Sequence, residues 1–358
     1  MGDEKMSKLK VAVIGCGQIA RTQHIPAYAK SGMVEIKYLC DLVIERADAL
    51  AVEYNVPHTT TDFNEVLADP EVVAISVCTP NGSHAPISIA ALKAGKHVLC
   101  EKPAAMNYEE ALTMKASADE YNRILNIGVV NRFNTAVNKI KQLIDEGELG
   151  ELYHVYCSFR SHRSIPGLGG PFTTKAKSGG GVLIDWGVHF LDLVFYVLGE
   201  QTKAKTVSGA AYGKLGQDIE GYVYKNMWAG PPVMDGTFDV EDFVTGLIRT
   251  TGPTINLNGA WAQNISESGM FIEFLGTKAG IKLNYGGEFS IHSSKNGMLY
   301  ETKATFAQDD TFLEEIKSFL ESVQSEQKNR ANIDYTLVTS QVMDALYLSS
   351  ETGKEVNL

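Results

Sequence analysis

Short apolar runs alternate with segments of helical period over the first third of the chain. Apolar runs at 10–14, 35–40, 72–78, 97–100 and 124–129 are separated by helical patterns starting near Ile19 and spanning 46–54, 86–94 and 109–122. Strands separated by helices of that length require right-handed crossovers, and these build a parallel sheet. The pattern predicts an open α/β domain over 1–130.

Beyond residue 149 the rhythm changes to longer, alternating runs at 152–160, 243–250, 255–263, 270–275 and 280–284, which read as antiparallel strands. Helical segments at 185–198, 309–324 and 335–350 lie among them. The fold class expected is therefore α/β, with a second α+β domain over 131–358 built on a largely antiparallel, open sheet covered by helices on one face. Residues 213–237 are rich in glycine and aromatics, pair Pro231 with Pro232 and show no period. A loop of that length usually has a task, and this one reads equally as a lid, a subunit-contact arm or a variable surface excursion.

Composition narrows the classes of function. With 32 Lys and Arg against 43 Asp and Glu, the net charge of −11 argues against a nucleic-acid or anionic-membrane partner. Five cysteines (Cys16, Cys40, Cys78, Cys100, Cys157) contain no CxxC pair, so they read as reduced packing residues and neither a disulfide framework nor a zinc site. The polar N-terminus lacks a secretory pattern, Met6 stands where a myristoylation signal starting at Gly2 needs Ser or Thr, and no apolar stretch approaches a membrane span. A cytoplasmic protein is expected.

The run Val11-Ala-Val-Ile-Gly15-Cys-Gly17-Gln18-Ile19-Ala20 is a GxGxxA sequence between a strand and a helix. Gly15 permits the tight turn, Gly17 lets a pyrophosphate approach the backbone, and Ala20 lets helix and strand pack closely, with the helix N-terminus facing the phosphates. Gln18 and Ile19 belong to the same cofactor-facing turn. Asp41 ends the second strand, where a carboxylate accepts the adenosine ribose hydroxyls and repels a 2′-phosphate. Leu42 and Val43 supply no cation there, so NAD is expected over NADP; a surface or capping aspartate is the plainer alternative.

Two further strands run into polar stretches, Cys78-Thr79-Pro80-Asn81-Gly82-Ser83-His84 and Cys100-Glu101-Lys102-Pro103. Open α/β sheets bind ligands at the carboxyl ends of their strands. Thr79, Pro80, Asn81, His84, Glu101 and Lys102 are therefore candidates for the nicotinamide side, although turn chemistry alone accounts for Pro-Asn-Gly. Pro103 biases Lys102 toward an extended backbone, which aims its ammonium. Such a lysine can hold a substrate hydroxyl and stabilise the developing alkoxide; the alternative is a solvated lysine after a strand.

Asp185 and His189 stand four residues apart after a glycine run, on one face of a helix. The carboxylate can orient an imidazole suited to take a hydroxyl proton. A metal pair is a rival reading, but one His and one Asp do not complete a site, and no metal is expected. A helix-start aspartate with a buried histidine is the structural alternative.

Taken together, GCGQIA, the aspartate after the second strand, CTPNGSH, EKP and the glycine run entering DxxxH resemble the Gfo/Idh/MocA family of sugar and cyclitol oxidoreductases. The resemblance spans nearly the whole chain. It implies an N-terminal Rossmann domain and a C-terminal domain that binds substrate and joins subunits through its open sheet, giving a homo-oligomer, dimer or tetramer. It also implies a catalytic set of Lys102, Asp185 and His189 that oxidises a secondary hydroxyl of a sugar, a glycoside (C3 being one position) or an inositol. His162, Arg163, Lys175 and Trp186 are the substrate-contact candidates. Two alternatives accompany this reading: a glycosidase that retains NAD and works by oxidation and elimination, and a non-catalytic dinucleotide-bound sensor.

Overall fold

A computed structural model describes residues 8–358. In chain order the regular elements are β1 (Leu9–Ile14), α1 (Ile25–Ser31), β2 (Val34–Cys40), α2 (Ile44–Tyr54), β3 (His58–Thr60), α3 (Phe63–Ala68), β4 (Ala74–Val77), α4 (His84–Lys93), β5 (His97–Cys100), α5 (Tyr108–Glu120) and β6 (Leu125–Ile127). There follow α6 (Thr135–Asp145), β7 (Leu152–Arg160), α7 (Lys175–Ser178), α8 (Val188–Leu198), β8 (Ala204–Tyr212), β9 (Phe243–Thr250), β10 (Thr254–Ala260), β11 (Gly269–Gly276), β12 (Ala279–Asn284), β13 (Glu288–Lys295), β14 (Met298–Lys303), α9 (Thr311–Ser325), α10 (Ile333–Thr352) and β15 (Val356–Asn357). Gly2 and Met6 lie outside the described residues.

The chain forms two compact units. The first comprises the residues up to Ala105, Glu109–Phe133 and Asp310–Thr336. Its six strands are all parallel, in the order β3-β2-β1-β4-β5-β6. The order reverses between β1 and β4, and the carboxyl ends on either side of such a switch point form the ligand crevice of this architecture. The four residues of β4 and the four of β5 are buried throughout, as expected of strands covered on both faces.

A domain boundary near 130 would leave residues 310–336 to the second domain, yet α9 returns to the first unit. The physical cause is its apolar stripe: Ile316, Phe319, Leu320 and Val323 recur at helical spacing and pack into the core with Val11, Val13, Ile25 and Tyr28. Burying each such aliphatic or aromatic side chain stabilises the fold by about 1.5–3 kcal/mol. Asp310 caps this helix by accepting from the Leu313 N–H at 3.3 Å.

The second unit comprises Met106–Tyr108, Asn134–Asp309 and Leu337–Leu358. Its nine-stranded sheet runs β14-β13-β12-β11-β7-β10-β9-β8-β15. One pair departs from the antiparallel expectation: β7 and β10, at the centre, run parallel, while their outer neighbours are antiparallel. Alternate residues of the central strands (Val155, Cys157, Ile255, Leu257, Ile272, Phe274) enter one core with α6, α8 and the apolar face of α10. The other face stays half-exposed. β14 is exposed along its whole length and so lacks the alternation that would reveal it in the sequence.

The helical run Lys175–Leu198 is long and apolar enough to cross a membrane, with a mean hydropathy of 1.6. Its window is 83% buried inside the fold, as in the core helix of a globular unit. All five cysteines are free and buried, and burial is the main cause that pushes the Cys16 thiol up to about 12, so these are inert packing groups.

Candidate functional site

The glycine turn after β1 is shaped by close approach. Gly15 has φ of +93°, and a Cβ there would lie 2.5 Å from the carbonyl oxygen of Cys78, so no other residue fits. At Gly17 a Cβ would meet nothing within 4 Å. Its missing side chain leaves open space beside the backbone amides of the turn, the cradle a pyrophosphate requires. A wide π-helical turn (Ala20–His24) follows and runs directly into α1. Gln18 and Ile19 lie just before this turn, the glutamine exposed and the isoleucine half-buried.

Asp41, one residue beyond β2, closes the site's far side. Its Oδ2 accepts the Cys16 N–H at 2.8 Å and its Oδ1 accepts the Val43 N–H at 2.8 Å, so the carboxylate is tied to the glycine turn. Arg46, in the first turn of α2, brings Nη1 to 3.9 Å from Oδ1. The residues directly after Asp41 supply no cation, but one helical turn supplies this one, which the linear reading missed. The glycine cradle, the anchored carboxylate and the parallel switch point together fit a dinucleotide.

At the end of β4 the Thr79 hydroxyl is buried without a hydrogen-bond partner among the described residues, while Pro80 is exposed and Asn81 opens a short 3-10 turn. His84, expected beside the nicotinamide, binds the backbone with its ring. It is buried, and its Nδ1 and Nε2 lie 2.7 and 2.8 Å from the carbonyl oxygens of Pro103 and Thr79, so both ring nitrogens are engaged with the backbone. Burial alone would lower its pKa; the Cys100 sulfur and the two carbonyls override this and raise it to about 9.

Glu101 is likewise turned inward. Its Oε1 lies 2.8 Å from Nε2 of the fully buried His24, and its Oε2 accepts the Lys102 N–H at 3.0 Å. Burial opposes its charge, but His24 and the Lys102 ammonium and N–H outweigh burial and hold the carboxyl below its ordinary range. His24 continues to the Ser76 hydroxyl at 3.2 Å, which meets the Tyr28 hydroxyl at 2.7 Å. Glu101 ends a buried network that holds the backbone of Lys102. Lys102 itself is half-buried at the strand end.

In the second unit, a wide turn (Leu183–Gly187) leads into α8. Asp185 is buried and accepts from the indole N–H of Trp261 at 3.2 Å. His189 is half-buried on a helix whose other residues, Tyr196 excepted, are buried. A core histidine would be fully enclosed, so this position argues for a ring that meets solvent or ligand. The turn is clamped by Glu241, whose oxygens accept the Gly181 and Leu183 N–H groups at 2.9 and 3.0 Å and the Tyr347 hydroxyl at 2.9 Å. Asp242, the next residue, accepts the Leu215 and Gly216 N–H groups at 2.7 and 2.8 Å. Adjacent buried carboxylates thus anchor the DxxxH helix and the start of segment 213–237.

The other candidates are tied to this framework. The Ser164 N–H donates to the Trp261 carbonyl at 2.8 Å, placing Arg163 next to the residue that orients Asp185. Arg163 has φ of +64°, a strained setting for a side-chain-bearing residue, and its guanidinium donates to Asn264 Oδ1 at 2.6 Å. The His162 ring engages the Ile265 carbonyl, Trp186 is half-buried against the core, and the Lys175 side chain is exposed. Segment 213–237 is laced to the 163–174 segment: the N–H groups of Lys225, Ala229 and Val233 donate to the carbonyls of Arg163, Pro166 and Leu168 at 2.7, 2.7 and 2.9 Å. In this structure the segment is a strap pinned to 163–174. Trp261 and Glu241 were missed in the sequence because a lone tryptophan at a strand end and a lone glutamate in a loop carry no pattern.

The parallel unit with its glycine turn is a dinucleotide-binding Rossmann unit. Residues 9–129 match the oxidoreductase family model with an NAD-binding Rossmann fold, and residues 137–282 match the GFO/IDH/MocA C-terminal domain. The chain is 33% identical over 355 residues to D-glucoside 3-dehydrogenase of Escherichia coli (strain K12), covering 98% of each protein. It is 28% identical over 296 residues to levoglucosan dehydrogenase of Pseudarthrobacter phenanthrenivorans, covering 78% of this chain and 74% of that one. A solved levoglucosan dehydrogenase in complex with NADH and levoglucosan has the same fold, with a TM-score of 0.84 at 21% identity over 98% of this chain and 99% of that one. The chain belongs to the Gfo/Idh/MocA oxidoreductase family, and its first unit is an NAD-binding domain.

Proposed function

We propose that the protein is an NAD-dependent dehydrogenase that oxidises a secondary hydroxyl of a sugar glycoside, at C3. The end-to-end match to a protein named D-glucoside 3-dehydrogenase carries this reading, together with the presence of Lys102, Asp185 and His189 in this chain. Bound NAD supplies the hydride acceptor. His189 takes the proton of the reacting hydroxyl on its imidazole nitrogen, and the Lys102 ammonium holds the same oxygen as negative charge develops. Asp185, oriented by Trp261, fixes the imidazole and the sugar. Arg163, His162, Lys175 and Trp186 contact the substrate; Thr79, Pro80 and Asn81 line the nicotinamide side. In this reading the enzyme works in the cytoplasm as a homo-oligomer joined through the open face of the second sheet.

The test incubates purified protein with NAD and a panel of methyl glucosides, free sugars, levoglucosan and inositols, following NADH absorbance and identifying products by mass. The expected result is NADH formation with a glucoside and a 3-keto product. Lys102→Ala should still bind NADH but lose at least roughly a hundredfold in kcat, because the ammonium acts only on the reacting oxygen. A fully active Lys102→Ala enzyme, or glycoside cleavage with no NADH released, overturns the reading.

A further inference from the structure

The glycine run that enters the DxxxH helix is the one motif that hydride chemistry leaves unexplained. It forms a socket for two polar side chains from distant parts of the second unit. A Cβ at Gly181 would overlap the Glu241 carbonyl oxygen, and one at Gly180 would overlap the Tyr347 hydroxyl, so only glycine lets these groups approach. The Glu241 carboxylate takes the Gly181 and Leu183 N–H groups, and its backbone carbonyl takes that of Val182 at 3.1 Å. The Asp185 N–H in turn donates to the Gly181 carbonyl at 3.0 Å. Asp242 prolongs the β9–β10 ladder by accepting the Trp261 N–H on its carbonyl at 3.0 Å, and the indole of that tryptophan meets Asp185. Two adjacent residues thus fix Asp185 twice, once through its backbone turn and once through the donor to its carboxylate.

We infer that Glu241 and Tyr347 are positioning residues for Asp185, the hydroxyl from helix α10 setting the pose of the carboxylate that holds the DxxxH turn. Tyr347 donates at 2.9 Å to the same Glu241 oxygen that holds Leu183. Without that donor the buried carboxylate has one partner fewer, and rotation about its soft terminal torsion releases Leu183 or Gly181. A displacement of about 1 Å at a reacting group can cost on the order of a hundredfold in rate. The effect of both residues reaches the reacting hydroxyl only through Asp185. For its kinetic arm the inference rests on the dehydrogenase reading; for its spectroscopic arm it rests on the second unit alone.

The experiment compares full-length wild type with Tyr347→Phe, Glu241→Gln and the double variant. It records melting temperature, NADH affinity by cofactor fluorescence, and NADH formation from a methyl glucoside. Tyr347→Phe keeps the ring and should melt close to wild type, bind NADH within about twofold and lose roughly tenfold in kcat. Glu241→Gln turns an amide donor toward a backbone N–H and should lose more. The double variant should lose no more than Glu241→Gln, because both substitutions break one clamp. Unchanged kcat in Tyr347→Phe, a loss shared equally by NADH affinity and kcat, or additive losses in the double variant overturn the inference. Fluorine NMR of fluorotryptophan-labelled protein supplies the second readout, with the three tryptophans assigned by Trp186→Phe, Trp228→Phe and Trp261→Phe. The Trp261 signal should shift in Tyr347→Phe while that of Trp228 stays. Should Glu241→Gln fail to fold, Tyr347→Phe decides by kcat and by this signal. Should wild type form no NADH from the glucoside, the dehydrogenase reading falls and the signal alone decides: movement of Trp261 in Tyr347→Phe supports the clamp, and an unmoved signal refutes it.

Discussion

The imidazole of His84 donates to the carbonyl of Pro103 across 2.7 Å, so the loop carrying Lys102 is fastened to the first turn of α4. The other ring nitrogen donates to Thr79 at the end of β4, which means that a single charged ring holds two strand ends. Its pKa is raised from 6.5 to about 9, so its stabilising contribution is complete below pH 6.5 and is lost as the pH rises through about 9. Replacement by Gln should destabilise the fold by about 1–3 kcal/mol near neutrality, since a buried donor pair is weakened. Thermal melts across this range should show the gap between wild type and His84→Gln narrowing above pH 9. A gap constant with pH would show that the ring is neutral.

His97 has the opposite sign. Its Nδ1 accepts the Ile124 N–H at 3.0 Å, which requires a bare nitrogen. Burial, with the Arg123 charge added, depresses its pKa from 6.5 to about 4. The unfolded chain therefore protonates first: stability is full above pH 6.5 and declines as the pH falls toward 4, by up to about 3 kcal/mol. His97→Asn should flatten the decline in melting temperature over that window, whatever it costs at neutrality.

Trp261→Phe keeps an aromatic ring in the core but deletes the indole donor that meets Asp185 at 3.2 Å. Turnover should fall by about 0.5–1.5 kcal/mol of transition-state stabilisation, the net worth of one hydrogen bond. NADH affinity should not change. A loss shared equally by NADH binding and kcat would point to a general packing defect.

The two glycines of the turn separate folding from binding. Gly15→Ala places a Cβ 2.5 Å from the Cys78 carbonyl at a φ of +93°, and should lower both the melting temperature and NADH affinity. Gly17→Ala adds a Cβ that meets no atom beyond its chain neighbours within 4 Å, so it should melt near wild type while NADH binding falls by at least roughly tenfold, because the methyl group intrudes on the phosphate cradle. Fluorescence titration beside calorimetry distinguishes the two.

Wherever the chemistry is local, it was legible along the chain. The glycine turn, the aspartate after the second strand, the lysine before a proline and the Asp185 to His189 spacing are each short-range patterns that single out candidates, and the strands 152–160 and 243–250 follow from alternation alone. Strand β14 was not legible, because a strand exposed on both faces has no apolar period, and β13 sends only Phe289 fully into the core.

The sequence by itself determined the parallel and largely antiparallel units and the dinucleotide turn, and it named Lys102, Asp185 and His189 as candidates, since backbone sterics and hydrophobic periodicity act between near neighbours. Only the tertiary structure decided that α9 belongs to the first unit, that His84 and Glu101 face inward to hold the lysine loop, and that Arg46 flanks Asp41. It also decided that Trp261 orients Asp185. These relationships join residues distant in sequence, or one helical turn apart on a face whose direction the chain does not reveal, and burial together with hydrogen-bond satisfaction settles them only once the sheet has closed around its core.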